Sequence, residues 1–218
     1  MAKIAKEINP KTVFHADGVQ AYGKIPYKLS KDIDFYSLSA HKINGLKGVG
    51  ALIKKKGINL SPIIHGGGQE NGLRSGTENV FGIKVFEFVG LDKYENLDEN
   101  YIKVQAVKNY FIDNLDKDIF VRISGDLSSP YILTVSAKGL RGEVVMHALE
   151  EKGVIIGNGS ACSSKNRFSR VIEACGYKND VLDGVIRISF STESSIDDAK
   201  IAVPIINDTA KRLKGILE

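Results

Sequence analysis

Polar residues capable of acid–base and covalent chemistry follow two short β-prone runs of the sequence. Asp17 and Gln20 come after the run 12–15, and Ser39, His41 and Lys42 end or follow the run 34–39. In open α/β sheets ligands bind at the carboxyl ends of the strands, so these side chains are expected to share one edge. A lysine beside a histidine, with an aspartate from the neighbouring strand, suits pyridoxal phosphate (PLP). Ordinary polar strand ends explain the same residues more simply, because Asp and Lys are common at strand ends.

In the PLP interpretation, Lys42 holds the cofactor through a Schiff base and Asp17 keeps the pyridine nitrogen protonated. Other chemistries find no support in the sequence. There is no G-x-S-x-G nucleophile motif, no P-loop and no G-x-G-x-x-G, and the four His and two Cys lack zinc-ligand spacing.

The elements that must position these residues alternate between helix and strand, which predicts an α/β fold. A helix is expected over 2–8, strands over 12–15, 34–39 and 50–53, and one or two helices from 80 to about 115, interrupted near Gly90. Beyond that point we predict strands over 120–123, 131–136, 154–156 and 185–190, and helices over 142–152, 169–175 and 195–217 with Ser194 or Ser195 as the cap of the last helix. A domain boundary is expected near residue 95.

Composition limits the class of protein. The chain has 218 residues, 43% of them hydrophobic and 26% charged, and its net charge of +4 carries no nucleic-acid signature. No apolar run suggests a membrane span or a signal peptide, and the two cysteines are too few for a secreted disulfide framework. A cytoplasmic protein without nucleic-acid or membrane partners is therefore expected. Eleven of the 22 glycines lie between Gly45 and Gly90, which indicates backbone held close to a ligand or partner.

Four segments carry a resemblance to a known family, and they occur in the family's order. They are HADGVQAYGK, SLSAHKINGLKGVGAL, HGGGQENGLRSGTENV and GNGSACSS. They resemble the successive signatures of cysteine desulfurases of the NifS-like branch, PLP-dependent enzymes of the aminotransferase class V superfamily. The resemblance implies a transferase of fold type I, with residues 1–94 as the C-terminal portion of the large PLP-binding domain. Residues 95–218 would then form the small α+β C-terminal domain.

The resemblance also implies roles for individual residues. Lys42 would form the Schiff base with the cofactor, Asp17 would pair with the pyridine nitrogen, and Gln20 would hydrogen-bond the ring hydroxyl. Ser39 and His41 would contact the phosphate, Thr77 would contact the phosphate of the partner subunit, and Arg187 would bind the substrate carboxylate. Cys162 would be the nucleophile that takes sulfur from L-cysteine, leaving L-alanine and a persulfide. Cys175 is expected to be a core residue without a role. His15, His65 and His147 are adequately explained by structure.

Relatives of this family are nearly twice as long, so the resemblance implies that the chain is a C-terminal half. Expected partners are the N-terminal half, a second subunit in a homodimer, and a sulfur-acceptor or scaffold protein, as in iron–sulfur cluster assembly. We expect the isolated chain to be inactive without its N-terminal half. Two alternatives stay open at this point. One is a non-catalytic remnant that only dimerises or binds, and the other is a selenocysteine lyase.

Overall fold

The computed structural model describes residues 1–158 and 170–217, which form two compact units, Met1–Glu99 and Asn100–Glu218. Helices and strands alternate in both, so the α/β class predicted from the sequence is confirmed. The division falls within the first turn of a long helix, α3, that runs over Leu97–Asn114. The assignment of 1–94 and 95–218 to a cofactor domain and a small domain stays a prediction.

The first unit is built on a three-stranded sheet. Its elements are α1 (Ala2–Ile8), β1 (His15–Asp17), β2 (Phe35–Ser39), a 3-10 turn (Ala40–Ile43), β3 (Gly50–Lys54), a second 3-10 turn (Glu70–Gly72) and α2 (Val80–Glu95). The strand order is β1-β2-β3, with β1 parallel and β3 antiparallel to β2. Since β1 and β2 are parallel, both strands end at the same edge of the sheet.

A buried carboxylate holds this unit together at the start of β2. Asp34, only 3% exposed, accepts hydrogen bonds at Oδ2 from Lys6 Nζ (2.6 Å) and from the Phe14 amide (2.8 Å). Lys55 Nζ lies 3.9 Å from its Oδ1. The hydrogen bond from Lys6, aided by the Phe14 amide, lowers the pKa of Asp34 below its usual range. One side chain thus connects α1, the residue before β1, and the segment just after β3.

The second unit packs helices against an antiparallel sheet. Its elements after α3 are β4 (Phe120–Arg122), β5 (Ile132–Ala137), α4 (Gly142–Glu150), α5 (Arg170–Ala174), α6 (Asn179–Leu182), β6 (Val185–Ser189) and α7 (Ile196–Leu217). The strand order is β4-β5-β6. The core combines fully buried side chains from α3, β5, α4, β6 and α7, among them Val104, Leu133, Val145, Ile186 and Ile206.

The predicted cap of the last helix is confirmed. Ser195 Oγ accepts from the Asp198 amide (3.1 Å), and Asp198 Oδ2 accepts from the Ser195 amide (3.0 Å). This reciprocal pair satisfies two amides that the first turn of a helix leaves without partners.

Three predicted features of the chain differ in the structure. The first strand lies at His15–Asp17 and not at 12–15, because its pairing with β2 begins where His15 meets Phe35. The helix break lies at Asn96 and not near Gly90, because Gly90 is needed inside α2, where a Cβ would lie 2.8 Å from the Tyr22 hydroxyl. At Asn96 the side-chain amide donates to the Asp92 carbonyl (2.9 Å) and closes the helix. Residues 154–156 do not form the predicted strand, since pairing is confined to a single bridge between Gly157 and Arg187.

Replacing Asp34 with asparagine should destabilise the fold, most strongly near neutral pH. The folded-state pKa of Asp34 is lowered, so its contribution is fully present above the unfolded value of about 3.9 and is lost as pH falls through the folded value. The difference in free energy of unfolding between wild type and Asp34→Asn should therefore shrink on acidification. Urea unfolding followed by circular dichroism at pH 7 and pH 3 measures it.

The matched control is Asp113→Asn, which changes an exposed aspartate on α3. We expect it to leave the unfolding free energy nearly unchanged at both pH values. A loss for Asp34→Asn that stays constant from pH 7 to pH 3 would contradict the assignment.

Candidate active site

The parallel pairing of β1 and β2 brings most of the predicted site residues to one edge of the first unit. Asp17 is the last residue of β1 and pairs in register with Ser37. Ser39 is the last residue of β2, and the 3-10 turn that follows it carries His41 and Lys42. The expectation that these residues share the carboxyl edge of the sheet therefore matches the observed topology.

The turn after β1 fixes the orientation of the Asp17 side chain. Asp17 Oδ1 accepts from the Val19 amide (2.9 Å), and the Gly18 amide donates to the Ser37 carbonyl (3.0 Å). Gly18 lies against the ring of Tyr36, where a Cβ would come within 1.9 Å of Cζ. Asp17 Oδ2 accepts no hydrogen bond from the part of the chain that the structure describes, and it is the oxygen available to a ligand.

The end of β2 and the turn after it carry the side chains of Ser39, His41 and Lys42, which differ in their hydrogen bonding. Ser39 Oγ and His41 Nδ1 are hydrogen-bonded to each other at 2.8 Å. Lys42 is half-buried, and its amine makes no hydrogen bond or ion pair with residues 1–158 or 170–217. The turn closes through Asn44, whose φ of 72° is left-handed. An uncommitted amine of this kind suits covalent attachment of a carbonyl compound.

A second lysine, Lys24, belongs to the same surroundings, and the sequence analysis missed it. Its Nζ donates to Gln20 Oε1 at 3.1 Å. Burial, together with the positive charge of Lys42, lowers the pKa of Lys24. Its spacing of four residues from Gln20 was the signal that could have identified it, because such pairs face each other on a helical turn.

Two tyrosines lie beneath this edge, on the opposite side from Ser37 and Ser39. The Tyr36 hydroxyl donates to the Tyr27 hydroxyl at 2.5 Å. Burial raises the pKa of Tyr36, and the contacts with Tyr27 and the charge of Asp17 act in the same direction. Tyr36 therefore stays neutral and serves as a packed support under the Asp17 turn.

Thr77 lies apart from this cluster in the loop between β3 and α2. It is exposed and makes no hydrogen bond to Asp17, Ser39 or Lys42. The loop is held by Gln69, whose Oε1 accepts from the Gly76 amide (3.1 Å). The predicted contact of Thr77 with a phosphate in a partner subunit stays a prediction.

Arg187 is fixed in the middle of β6 in the second unit. Its backbone pairs with Thr134 on one side and exchanges two hydrogen bonds with Gly157 on the other, at 2.9 and 2.7 Å. Its Nε is buried and has no hydrogen-bond partner within the described residues. Gly157 lies beside the guanidinium, where a Cβ would make an ordinary van der Waals contact at 3.5 Å from Nη2. A buried unpaired donor on a planar cation is suited to an incoming carboxylate.

Of the two cysteines, only Cys175 is described by the structure. Cys162 lies outside the described residues. Cys175 follows α5 and is exposed as a free thiol, so the prediction that it is a core residue is wrong. The reason is that α5 ends at Ala174 and buries only Ile172, which leaves the next residue on the surface.

Residues 1–158 and 170–217 contain neither a candidate metal site nor a helix that could span a membrane. No group of three or more His, Cys, Asp or Glu side chains is placed to hold a metal ion. None of the described helices combines the length and the apolar character that crossing a bilayer requires.

Comparison with known proteins identifies one family and close relatives in sequence. The family model for aminotransferase class V matches residues 1–201. A putative cysteine desulfurase IscS 1 of Bacillus subtilis is 37% identical over 209 residues, which are 93% of this chain and 55% of that protein. The cysteine desulfurase IscS of Dictyoglomus turgidum is 35% identical over 225 residues, covering 99% of this chain and 56% of its own length.

Solved structures give the same picture. A NifS-like protein matches with a TM-score of 0.86 and 32% identity over 97% of this chain and 55% of its own. A NifS-like protein from Rickettsia africae also matches with a TM-score of 0.86, at 27% identity over 96% and 56%. The chain thus spans about half the length of the relatives it matches.

Replacing Gly18 with alanine should disturb the turn that orients Asp17. The added Cβ would overlap the Tyr36 ring, so either the ring or the turn must move, at a cost of about 1–3 kcal/mol in the free energy of unfolding. Chemical denaturation measures the loss.

Gly125→Ala is the matched control, because nothing lies within 4 Å of a Cβ at that position. Adding Tyr36→Leu should recover part of the stability lost in Gly18→Ala. Equal stability of the two glycine variants would show that the contact with Tyr36 does not constrain the turn.

Proposed function

The chain belongs to the aminotransferase class V family, and from this premise we propose that it forms part of a PLP-dependent cysteine desulfurase. The enzyme converts L-cysteine to L-alanine and holds the released sulfur as a persulfide on Cys162. The observation that carries the proposal is the placement of the Asp17 carboxylate and the Lys42 amine at one sheet edge. The relatives named as cysteine desulfurases support the same reaction.

The residues present are complementary to PLP in chemical character. Within the described residues, Asp17 Oδ2 and the Lys42 amine have no hydrogen-bond or ion-pair partner. The carboxylate suits a protonated pyridine nitrogen, and the amine suits the aldehyde carbon. Gln20 would donate to the ring oxygen, and Ser39 and His41 would donate to the phosphate. Thr77 would donate to the phosphate held by a partner subunit. When bound, the cofactor supplies an electron sink for the bond broken at the substrate's α carbon.

The remaining steps belong to side chains of this chain. The Arg187 guanidinium binds the carboxylate of L-cysteine and so orients the substrate. The Cys162 thiolate attacks the substrate sulfur, forming an S–S bond as the carbon–sulfur bond breaks. The substrate carbon takes up a proton and becomes the methyl group of alanine, while Lys42 Nζ is the amine placed to carry protons at the α carbon. The sulfur then leaves Cys162 for an acceptor protein.

We also propose that the site is completed by residues that correspond to the part of the relatives that this chain does not cover. Helix α2 supports this proposal, because apolar residues occur on all its faces, a pattern typical of buried helices. In the chain alone Phe81, Phe88 and Tyr94 are 73%, 75% and 76% exposed. Dimerisation, a sulfur-acceptor partner and a cytoplasmic location are parts of the same proposal.

Covalent trapping tests the role of Lys42. We expect the chain, incubated with PLP and reduced with borohydride, to carry a pyridoxyl group on Lys42, as detected by peptide mass spectrometry. Lys42→Ala should remove that label, while Lys47→Ala, a change of a nearby exposed lysine, should retain it. A label spread evenly over surface lysines, or unchanged in Lys42→Ala, would refute the assignment.

Persulfide labelling tests the role of Cys162. In the chain purified with the polypeptide that completes the enzyme, Cys162→Ser should abolish cysteine-dependent persulfide formation and Cys175→Ser should retain it. Cys175 is exposed, so its thiol is reachable by the same labelling reagent and serves as the control. The reverse pattern would transfer the role to Cys175. Turnover by residues 1–218 alone would contradict the need for further residues to complete the site.

A further inference from the structure

The contact between Lys24 and Gln20 determines how Gln20 can bind a ligand. Both residues lie in a helical turn after β1, in which the Tyr22 amide donates to the Gly18 carbonyl (2.9 Å) and the Ile25 amide donates to the Ala21 carbonyl (3.1 Å). Residues four apart in such a turn face the same side. Accordingly, Lys24 Nζ reaches Gln20 Oε1 at 3.1 Å.

The direction of this hydrogen bond is fixed by chemistry. A protonated lysine amine has three donors and no acceptor, so it can face only the oxygen of the Gln20 amide. The Nε2 hydrogens must then point away from Lys24. An isolated glutamine could present either its oxygen or its nitrogen to a ligand, whereas Gln20 is held as a donor.

The surroundings of Lys24 restrict it to this position. Its side chain is half-buried, while that of Gln20 is exposed. The charge of Lys42 acts on Lys24 from the adjacent turn, and both charges favour an anionic ligand atom nearby. The sheet edge thus offers the Asp17 carboxylate to a cationic group of a ligand. Around Gln20 it offers hydrogen-bond donors and positive charges to an anionic group of a ligand.

We propose that Lys24 is a positioning residue that fixes the Gln20 amide with its nitrogen toward an anionic oxygen on the ring of the bound cofactor. This inference rests on the proposed function. Because Lys24 polarises the amide, the Gln20 N–H is a stronger donor and stabilises the negative charge on that oxygen. Lys24 itself does not touch the ligand.

The hydrogen bond can be tested without cofactor. In the ¹⁵N-labelled chain, Lys24→Met should shift the side-chain amide resonances of Gln20, and Lys24→Arg, which keeps a donor, should largely preserve them. Lys28→Met removes an exposed charge nearby and is the matched control. Unchanged Gln20 resonances in Lys24→Met would overturn the proposed contact.

The consequence is tested with added PLP, followed by its visible absorbance as a function of pH. Lys24→Met should weaken PLP binding about fivefold to tenfold and raise the pH midpoint of the absorbance change by about half a unit to one unit. Lys24→Arg should restore both values. In a Gln20→Ala background Lys24→Met should have little further effect, since the two residues act as a unit.

The outcomes separate the two proposals. If the wild-type chain and Lys24→Met bind PLP with the same affinity and pH midpoint, the role of Lys24 is refuted and the proposed function stands. If Lys24→Met has the same effect on PLP binding in the Gln20→Ala background as in wild type, the positioning role is also refuted. Such a result would show that the charge of Lys24 acts on the ligand directly. If no variant binds PLP at Lys42, the proposed function itself fails.

Discussion

The buried Asp34 carboxylate is the interaction on which the first unit depends. It receives hydrogen bonds from Lys6 and from the backbone before β1, and it precedes β2 directly. In this way it fixes the register in which β1 lies beside β2. A slip of one residue would turn Asp17 to the opposite face of the sheet, because successive strand residues alternate between faces. The chemistry assigned to the sheet edge is therefore secured by an ion pair at the other end of the strands.

The same alternation places the polar residues at the ends of β1 and β2 on one face of the sheet. Asp17 and His15 are two residues apart on β1, and Ser37 and Ser39 are two apart on β2, so all four share one face. His15 Nε2 and Ser37 Oγ are 2.7 Å apart and join the two strands across it. Tyr36 and Leu38 face the other way, so the candidate site residues of these two strands occur at every second position.

The sequence predicts most elements well where periodicity or capping is local. The bounds of α1, β2 and α7 differ by at most one residue from the prediction, since strand alternation and the Ser195 cap are encoded in neighbouring residues. What it misses depends on distant contacts. The sequence predicts a helix break near Gly90, yet Gly90 allows close approach of Tyr22, which is 68 positions away. The exposure of Cys175 and the contact of Lys24 with Gln20 likewise depend on where short turns place side chains.

Packing, and not only the length of the relatives, favours further protein residues beside the first unit. Parallel strands usually occur in sheets that are covered on both faces. Here β1 is an edge strand of a three-stranded sheet, and its outer edge has no strand partner within the described residues. Helix α2 adds an exposed face with Phe81 and Phe88 that costs free energy in water. A further strand would pair with the open edge of β1, and a further surface would bury the exposed side chains of α2. The strand would be added beside β1, which ends in Asp17.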